Sequence, residues 1–215
     1  SAEDIFVEIA KVTPSYGGMT YARLEKPEAL HWPCPTAEHP GTPILHKEKF
    51  THPDGLGIFT PIEFKYPAEV PDKDYPLILT TGRILSQYNV GAQTRRTDNN
   101  IWHHEDVLEI HPFDAEHRGI RDGDLVAITS RAGETTLRAD VTERIQPGVV
   151  YTTFHHPVTG ANVVTTEFSD WATNCPEYKV TAVEVRRTNH YSEWQERNNR
   201  EEVEMKRIAT VMAAE

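Results

Sequence analysis

The stretch YPLILTTGRILSQYNVGAQTRR, residues 75–96, marks where the chain changes from loops to strands. Its apolar beginning predicts a buried strand, and Gly82 stands where that strand would end. The residues that follow are poor in apolar side chains and rich in hydrogen-bond donors, among them Arg83, Gln87 and Asn89. Such a segment is either an ordinary solvated loop or a loop that holds a large, polar, phosphorylated ligand.

Short apolar runs continue beyond this segment and predict a domain built mainly from strands. With the first run, YPLILT, they make six: DVLEI, LVAITSR, TTLRADVT, GVVYTTFH and KVTAVEV. Turn signals separate several of them, and the segment PFDAEHRGI predicts one short helix with Pro112 in its first turn and Gly119 at its end. We therefore predict a mainly β fold with short helices, closed into a barrel because closure removes exposed strand edges.

The two flanks of this domain differ from it in composition. Residues 1–74 contain 10 of the 15 prolines and one helical candidate, Ala2–Lys11. Because a compact domain rarely opens with so long a loop, we interpret 1–74 as the loop-rich end of a preceding domain and its linker. Residues 75–188 form the strand-rich domain, and 189–215 predict a polar, solvated C-terminal helix in which Glu202 precedes Lys206 by one helical turn.

Charge and cysteine content exclude several classes of partner. With 22 basic and 33 acidic residues the net charge is −11, which argues against nucleic acid or an anionic membrane surface. No apolar run approaches the roughly 20 residues that a membrane-spanning helix needs. The two cysteines, Cys34 and Cys175, lie in unlike contexts, which favours a reducing compartment over a disulfide framework. These features predict a cytoplasmic protein with no nucleic-acid or membrane partner.

Motifs for metal-centred or nucleophilic catalysis are missing from this sequence. Adjacent histidines occur at 103–104 and 155–156, but neighbouring strand residues point to opposite faces and rarely bind one metal. Zinc-type ligand spacings, G-x-G-x-x-G after a strand, the P-loop and the G-x-S-x-G elbow are all absent. Neither cysteine has a neighbouring base that would activate its thiol. We predict structural roles for these residues and assign no catalytic or metal-binding residue to the chain.

The donor-rich loop remains as the candidate site. A glycine at a strand end lets backbone amides approach a phosphate, and the guanidinium of Arg83 offers a fork of donors. Four more candidates follow strand-like runs: Phe154, Asn162, Tyr178 and Lys179. The alternative is a polar loop that braces the barrel, with ordinary aromatic packing around it.

A resemblance to a known family covers nearly the whole chain. YPLILTTGR…TRR, DVLEIHPFDAEHRGIRDGDLVAITSRAGE, ADVTERIQPGVVYTTFH, then Asn162 and EYK, resemble the C-terminal dinucleotide-binding domain of molybdopterin oxidoreductases. Within that superfamily these segments are most similar to the catalytic alpha subunit of cytoplasmic, NAD-linked formate dehydrogenases. The earlier LEKPEALHWPCPTAEHPGTPILH resembles the segment that precedes this domain. The resemblance implies a six-stranded double-psi β-barrel.

The resemblance also implies a cofactor and the residues that contact it. The family binds molybdenum or tungsten through two molybdopterin guanine dinucleotides, oxidises formate to carbon dioxide, and passes electrons through iron–sulfur clusters and flavin in other parts of the complex to NAD. After T-G-R this chain departs from the family pattern with Gln87, Tyr88, Asn89 and Val90. The family's contacts correspond here to Thr81, Gly82, Arg83, Ile84, Leu85, Ser86, Gln87, Tyr88, Asn89, Val90, Phe154, Asn162 and Lys179, with Tyr178 as a neighbour.

The family's metal-ligating cysteine or selenocysteine and its cluster cysteines belong to a region upstream, and neither cysteine of this chain matches them. We therefore expect the C-terminal part of a longer catalytic subunit. Its partners would be the remainder of that subunit, iron–sulfur and flavin subunits, and formate as the small-molecule substrate. Two alternatives stay open: another molybdopterin oxidoreductase such as a nitrate reductase, and a separately encoded dinucleotide-binding module without catalysis.

Overall fold

The computed structural model describes residues 1–212, which fall into two compact units that divide between Glu63 and Phe64. The sequence predicts a domain boundary later, after residue 74, and that boundary stays a prediction. Within the second unit the segment before the barrel contacts it through the buried side chain of Glu69. Its carboxylate accepts hydrogen bonds from Arg131 at 2.6 Å and from the backbone N–H of Ala182 at 3.3 Å.

The first unit consists of helices and loops. Helix α1 spans Ala2–Val12 and confirms the predicted helix, with Ser1 and Asp4 forming a capping box. A 3-10 turn, Pro14–Tyr16, and a short helix, α2 (Tyr21–Leu24), follow. The guanidinium of Arg23 donates to the carbonyls of Gly18 at 2.6 Å and His39 at 2.7 Å and so ties the loops together.

The second unit is a closed barrel of six strands with one short helix inserted. The strands are β1 (Leu77–Gly82), β2 (Val107–Ile110), β3 (Leu125–Thr129), β4 (Glu134–Val141), β5 (Val149–Thr153) and β6 (Thr181–Arg187). The helix, α3, spans Pro112–His117, and Gly119 follows it in the left-handed conformation at φ 62°. Every predicted strand and this helix are confirmed, as is the six-stranded double-psi β-barrel.

The strand pairing has an internal two-fold pattern. Around the barrel the order is β1-β5-β2-β4-β3-β6. The pairs β1–β5 and β2–β4 are parallel, whereas β1–β6, β3–β4, β2–β5 and β3–β6 are antiparallel. Exchanging each of the first three strands for the strand three places later leaves every pair and its direction unchanged. The two halves of the chain therefore interlock around one core.

Apolar side chains from all six strands meet inside the barrel. Its fully or nearly fully buried members include Leu77, Leu79, Leu108, Ile110, Val126, Ile128, Val150, Val183 and Val185. Burying a side chain of this size stabilises the fold by roughly 1.5–3 kcal/mol relative to exposing it. This packing fixes the strand ends from which the loops of the candidate site emerge.

The last helix, α4, spans Glu193–Met212; residues 213–215 of the predicted tail lie outside the described part of the chain. Glu202 and Lys206 form the predicted ion pair at 2.6 Å. The sequence predicts a helix that is solvated along its whole length, but the beginning of α4 packs on the barrel. The side chain of Gln195 is buried, accepts from the backbone N–H of Thr136 at 3.0 Å and donates to its carbonyl at 2.9 Å.

Candidate functional site

The candidate loop begins where two parallel strands separate. Strands β1 and β5 pair in register up to Gly82 and Thr153. A Cβ at Gly82 would lie 2.6 Å from the hydroxyl oxygen of Tyr151, so a larger residue here would displace the tyrosine ring. The same hydroxyl donates a hydrogen bond of 3.0 Å to the carbonyl of Arg83. The tyrosine therefore fixes the first residue of the loop against β5.

His155 closes this loop from the other strand. Its side chain is fully buried, and its Nε2 accepts a hydrogen bond of 3.1 Å from the backbone N–H of Ile84. Its Nδ1 contacts the backbone carbonyl of Asn89, which can only accept. These two contacts fit the tautomer that carries its proton on Nδ1. Asn89 itself lies in the left-handed region at φ 48°, where asparagine is one of the tolerated residues.

The guanidinium of Arg83 is held beside this closed loop. Its Nε and Nη2 donate to Oδ1 of Asn89 at 3.0 and 2.6 Å. The guanidinium carbon lies 5.4 Å from the centre of the Phe154 ring, within the range of a cation–π contact. Both of these partners are neutral, and Arg83 forms no ion pair with a carboxylate among residues 1–212. The positive charge is therefore oriented but not neutralised.

Four of the predicted site residues line one cavity of about 390 Å³. Arg83 lies in the loop after β1, whereas Phe154, Asn162 and Tyr178 lie in the long connection between β5 and β6. The remaining lining residues are Thr165, Thr166 and Pro176. Such a volume lies in the range of small-molecule pockets. The barrel thus brings together one cation, two aromatic rings and one carboxamide from two connections that are far apart in the chain.

Lys179 and Thr81 contact each other behind this cavity. The Lys179 ammonium donates to the Thr81 carbonyl at 2.7 Å and lies 5.6 Å from the centre of the Tyr178 ring. Within the described residues the buried hydroxyl oxygens of Thr81 and Thr166 have no hydrogen-bond partner. Buried polar groups are normally paired, and of these two hydroxyls the one of Thr166 belongs to a residue that lines the cavity, where a polar ligand group can pair with it.

The middle of the loop divides into buried and exposed residues. Ser86 and Gln87 are buried, and Oε1 of Gln87 accepts from the Thr94 hydroxyl at 2.6 Å. Oγ of Ser86 and Nε2 of Gln87 have no partner among the described residues. Three others, Leu85, Tyr88 and Val90, are exposed.

A second cavity of about 440 Å³ lies on another side of Arg83 and is also lined by Ile84 and Leu85. It is more acidic than the first, with Glu109 and Asp140 in its lining and Arg144 3.5 Å from Glu109. Burial raises the pKa of Glu109, partly offset by the Arg144 guanidinium. An anion is therefore favoured in the first cavity over the second.

Both histidines after β5 have structural partners in place of a metal. The buried carboxylate of Asp106 accepts hydrogen bonds from the backbone N–H of His156 at 2.9 Å and from its Nδ1 at 3.1 Å. It also accepts hydrogen bonds from the Thr153 hydroxyl and from the backbone N–H of His155. Burial opposes ionisation of this carboxyl, but the hydrogen bonds from His156 and Thr153 hold its pKa below the usual value. Within residues 1–212 no three His, Cys, Asp or Glu side chains cluster as metal ligands would.

Comparison with known proteins identifies the barrel. A family described as "Molydopterin dinucleotide binding domain" matches residues 77–182, a span that contains β1 to β5, the start of β6 and the candidate loop. Residues 77–182 are a molybdopterin dinucleotide-binding domain. This domain supplies the barrel, Arg83, Phe154, Asn162 and Tyr178, and it supports a molybdopterin guanine dinucleotide as the cofactor.

The relatives of the whole chain are oxidoreductase subunits. The F420-dependent formate dehydrogenase subunit alpha of Methanocaldococcus jannaschii is 49% identical over 186 residues, covering 86% of this chain and 28% of that protein. The assimilatory nitrate reductase catalytic subunit of Bacillus subtilis is 39% identical over 193 residues, covering 86% and 27%. Acetylene hydratase from Pelobacter acetylenicus matches 53% of this chain and 18% of that chain, with 17% identity and a TM-score of 0.46.

The relatives bear on two expectations from the sequence, the electron acceptor and the length of the native protein. The NAD-linked type predicted from the sequence is not supported, because the formate dehydrogenase relative is named F420-dependent. The chain spans 28% and 27% of the length of the two relatives, so their activities describe proteins several times longer.

Among residues 1–212 no helix combines the length and the apolar composition that a membrane span needs.

The sequence did not reveal the roles of His155, Tyr151 and Thr94 in shaping the molybdopterin-domain loop. The contact from His155 to Ile84 joins residues 71 positions apart and depends on the pairing of β1 with β5. The only signal was the position of His155, two residues after a strand. The carboxamide oxygen of Asn89 holds Arg83, and the predicted contact of Asn89 with the ligand stays a prediction.

Proposed function

We propose that this chain is the cofactor-binding part of a formate dehydrogenase catalytic subunit and that it holds a molybdopterin guanine dinucleotide at the Arg83 cavity. One observation carries the proposal. Arg83, Phe154, Asn162 and Tyr178, named as cofactor contacts from the sequence, line a single cavity although Arg83 follows β1 and the other three lie between β5 and β6.

The charge of Arg83 suits a phosphate. The two partners of its guanidinium, Oδ1 of Asn89 and the ring of Phe154, are uncharged. The positive charge of Arg83 is therefore fully available to attract a bound phosphate. Hydrogen bonds between guanidinium and phosphate are shorter and stronger than neutral ones, and the planar fork can bind two phosphate oxygens. Gly82 at the end of β1 leaves room for the backbone to approach the ligand.

The other lining residues suit the rings of the cofactor. Phe154 and Tyr178 offer aromatic faces for stacking, and the carboxamide of Asn162 can both donate to and accept from a heterocycle edge. The ammonium of Lys179 uses one of its three donors on Thr81 and keeps two for the ligand. The hydroxyl of Thr166, which has no partner among the described residues, adds a further polar group to the lining.

When bound, the cofactor supplies the redox-active metal, molybdenum or tungsten, that takes up the two electrons released when formate becomes carbon dioxide. The part played by this chain is binding, orientation and charge neutralisation. The metal ligand, a second dinucleotide and the iron–sulfur clusters are proposed to involve the remainder of the catalytic subunit and partner subunits.

The formate assignment is supported by the higher identity to a formate dehydrogenase, 49%, than to a nitrate reductase, 39%. The name of that formate dehydrogenase supports F420 as the electron acceptor, with NAD as the alternative. The proposal of a cytoplasmic location rests on the two unpaired cysteines, Cys34 and Cys175. Nitrate reduction is the second candidate, because substrate choice depends on residues near the metal.

The test uses the intact polypeptide that carries this sequence, purified without oxygen. We expect molybdenum or tungsten by elemental analysis, guanosine monophosphate after acid hydrolysis, and formate oxidation coupled to F420. Nitrate reduction without formate oxidation would select the second candidate. A polypeptide that contains guanine nucleotide but no metal and no activity would indicate a non-catalytic binding module, and one without guanine nucleotide would contradict the proposal.

A further inference from the structure

His155 occupies the place where the ladder between β1 and β5 ends. The strands pair from Ile78 with Val149 to Gly82 with Thr153, after which β1 turns away into the loop. Continuing the same register would set Ile84 opposite His155. There the backbone N–H of Ile84 is bonded to the imidazole Nε2 in place of a carbonyl of the neighbouring strand. The side chain thus completes a ladder that the backbone no longer forms.

The second ring nitrogen reaches the far end of the same loop. Nδ1 of His155 contacts the carbonyl of Asn89, so one imidazole joins residue 84 to residue 89. The backbone N–H of His155 is itself bonded to the buried carboxylate of Asp106 at 3.2 Å. The ring is therefore anchored on the barrel and transmits that anchoring to both ends of the loop.

Asn89 passes this constraint to Arg83. Its backbone carbonyl is held by the imidazole, while its side-chain oxygen accepts two hydrogen bonds from the Arg83 guanidinium at 3.0 and 2.6 Å. The ring of Phe154, the neighbour of His155, lies with its centre 5.4 Å from the carbon of the same guanidinium. The cation that lines the cavity is thus placed by a chain of contacts that begins at the buried histidine.

We infer that His155 is a positioning residue: through Asn89 it fixes the guanidinium of Arg83 for the phosphate of the bound dinucleotide. The inference rests on the proposed function, since it concerns the same cavity. It gives the buried histidine a role in ligand retention that a residue serving packing alone would lack. The contact to Asn89 matters more for this role than the contact to Ile84, because only Asn89 holds Arg83.

Two substitutions separate the two ring contacts. In His155→Asn the carboxamide lies near the place of ring Nδ1 and can still donate to Asn89, whereas in His155→Gln it lies near the place of Nε2 and can accept only from Ile84. His156→Asn is the matched control, because His156 is also buried and bonded to Asp106 but contacts no residue of the loop among those described. Asn89→Gly keeps the carbonyl and tolerates the positive φ but removes the oxygen that holds Arg83.

The readouts are the rate at which guanine nucleotide leaves the purified intact polypeptide and the thermal midpoint of unfolding. We expect His155→Gln and Asn89→Gly to release nucleotide about tenfold faster, the effect of weakening one charge-assisted hydrogen bond. His155→Asn should stay within about threefold of the unmodified protein, because it keeps the Asn89 contact. His156→Asn should lower the midpoint without a faster release.

Because His155→Gln and Asn89→Gly interrupt one chain of contacts, the double variant should release nucleotide no faster than either single variant. Equal release from His155→Asn and His155→Gln, or release that follows the midpoint in all variants including His156→Asn, would overturn the positioning role. If the histidine variants do not fold, an unchanged release rate in Asn89→Gly overturns it alone. An unmodified protein without guanine nucleotide overturns the proposed function and this inference together.

Discussion

The ammonium of Lys179 donates a hydrogen bond of 2.7 Å to the carbonyl of Thr81, joining two residues that are 98 positions apart in the chain. Thr81 pairs with Thr152 of β5. This is one position before Gly82, where the pairing ends and the candidate loop begins. The contact therefore fastens the start of the loop to the connection that carries Tyr178. It also places the ammonium charge beside the cavity without using all of its donors.

Replacing Lys179 with methionine should weaken cofactor retention more than it weakens the fold. The side chain is exposed, so loss of its hydrogen bond should lower the free energy of unfolding by less than about 1 kcal/mol. Nucleotide content after purification and chemical denaturation measure the two effects. Lys206→Met on α4 serves as the control, since Lys206 pairs only with Glu202 among the described residues. Equal nucleotide content in the two variants would contradict the role of Lys179.

Arg83→Ala should lower cofactor occupancy with little change in stability. The hydrogen bonds of the guanidinium lie in an exposed loop, so their loss should change stability little. The same guanidinium would form a charged hydrogen-bond pair with a phosphate. We expect about a tenfold or greater loss of affinity from removing a charged hydrogen-bond pair. Elemental analysis and nucleotide content of the purified protein provide the measurement. Arg186→Ala removes the same charge from an exposed ion pair with Glu134 and should leave occupancy unchanged; full metal loading in Arg83→Ala would rule out the assignment.

Asp106 predicts a loss of stability at acid pH. Its folded-state pKa lies below the ordinary value of 3.8, so the ionised carboxylate stabilises the fold fully above pH 3.8, and this contribution is lost as the pH falls through the lower folded value. Asp106→Asn should cost about 3 kcal/mol at pH 7, because it disrupts a buried charged network. It should also flatten the dependence of unfolding free energy on pH below 3.8. Equal acid sensitivity in the two proteins would show that other carboxyls dominate.

Gln195→Ala should detach the beginning of α4 from the barrel. The carboxamide is bonded to both backbone groups of Thr136, so its removal leaves two buried groups without partners. We expect a loss of about 2–3 kcal/mol in unfolding free energy, measured by chemical denaturation. Glu202→Ala, which breaks an exposed ion pair on the same helix, should cost less than about 0.5 kcal/mol. A similar small cost for both would mean that the helix contributes nothing through Gln195.

The barrel could be predicted from sequence because its strands are short apolar runs between turn signals. Leu77 and Leu79 alternate with half-buried residues along β1, and Pro112 and Gly119 bound the inserted helix as their backbone preferences require. The double-psi topology was implied by the family resemblance, and the order of the strands around the barrel came from the structure, since local patterns do not encode which strands pair.

The candidate site was predictable in its residues but not in its contacts. Arg83 and Phe154 are recognisable from residue type and from the resemblance, and they do share a cavity. The role of His155 depends on the register of β1 with β5, and the docking of Gln195 on β4 depends on tertiary packing. Neither leaves a periodic signal in the sequence, because each joins segments far apart in the chain.

The most direct test is an experimental structure of the intact polypeptide with its cofactor bound. The account predicts a guanine dinucleotide at the Arg83 cavity, with a phosphate oxygen within hydrogen-bond distance of the Arg83 guanidinium and a ring against Phe154 or Tyr178. A dinucleotide bound elsewhere, with no contact to Arg83, Phe154, Asn162 or Tyr178, would contradict it.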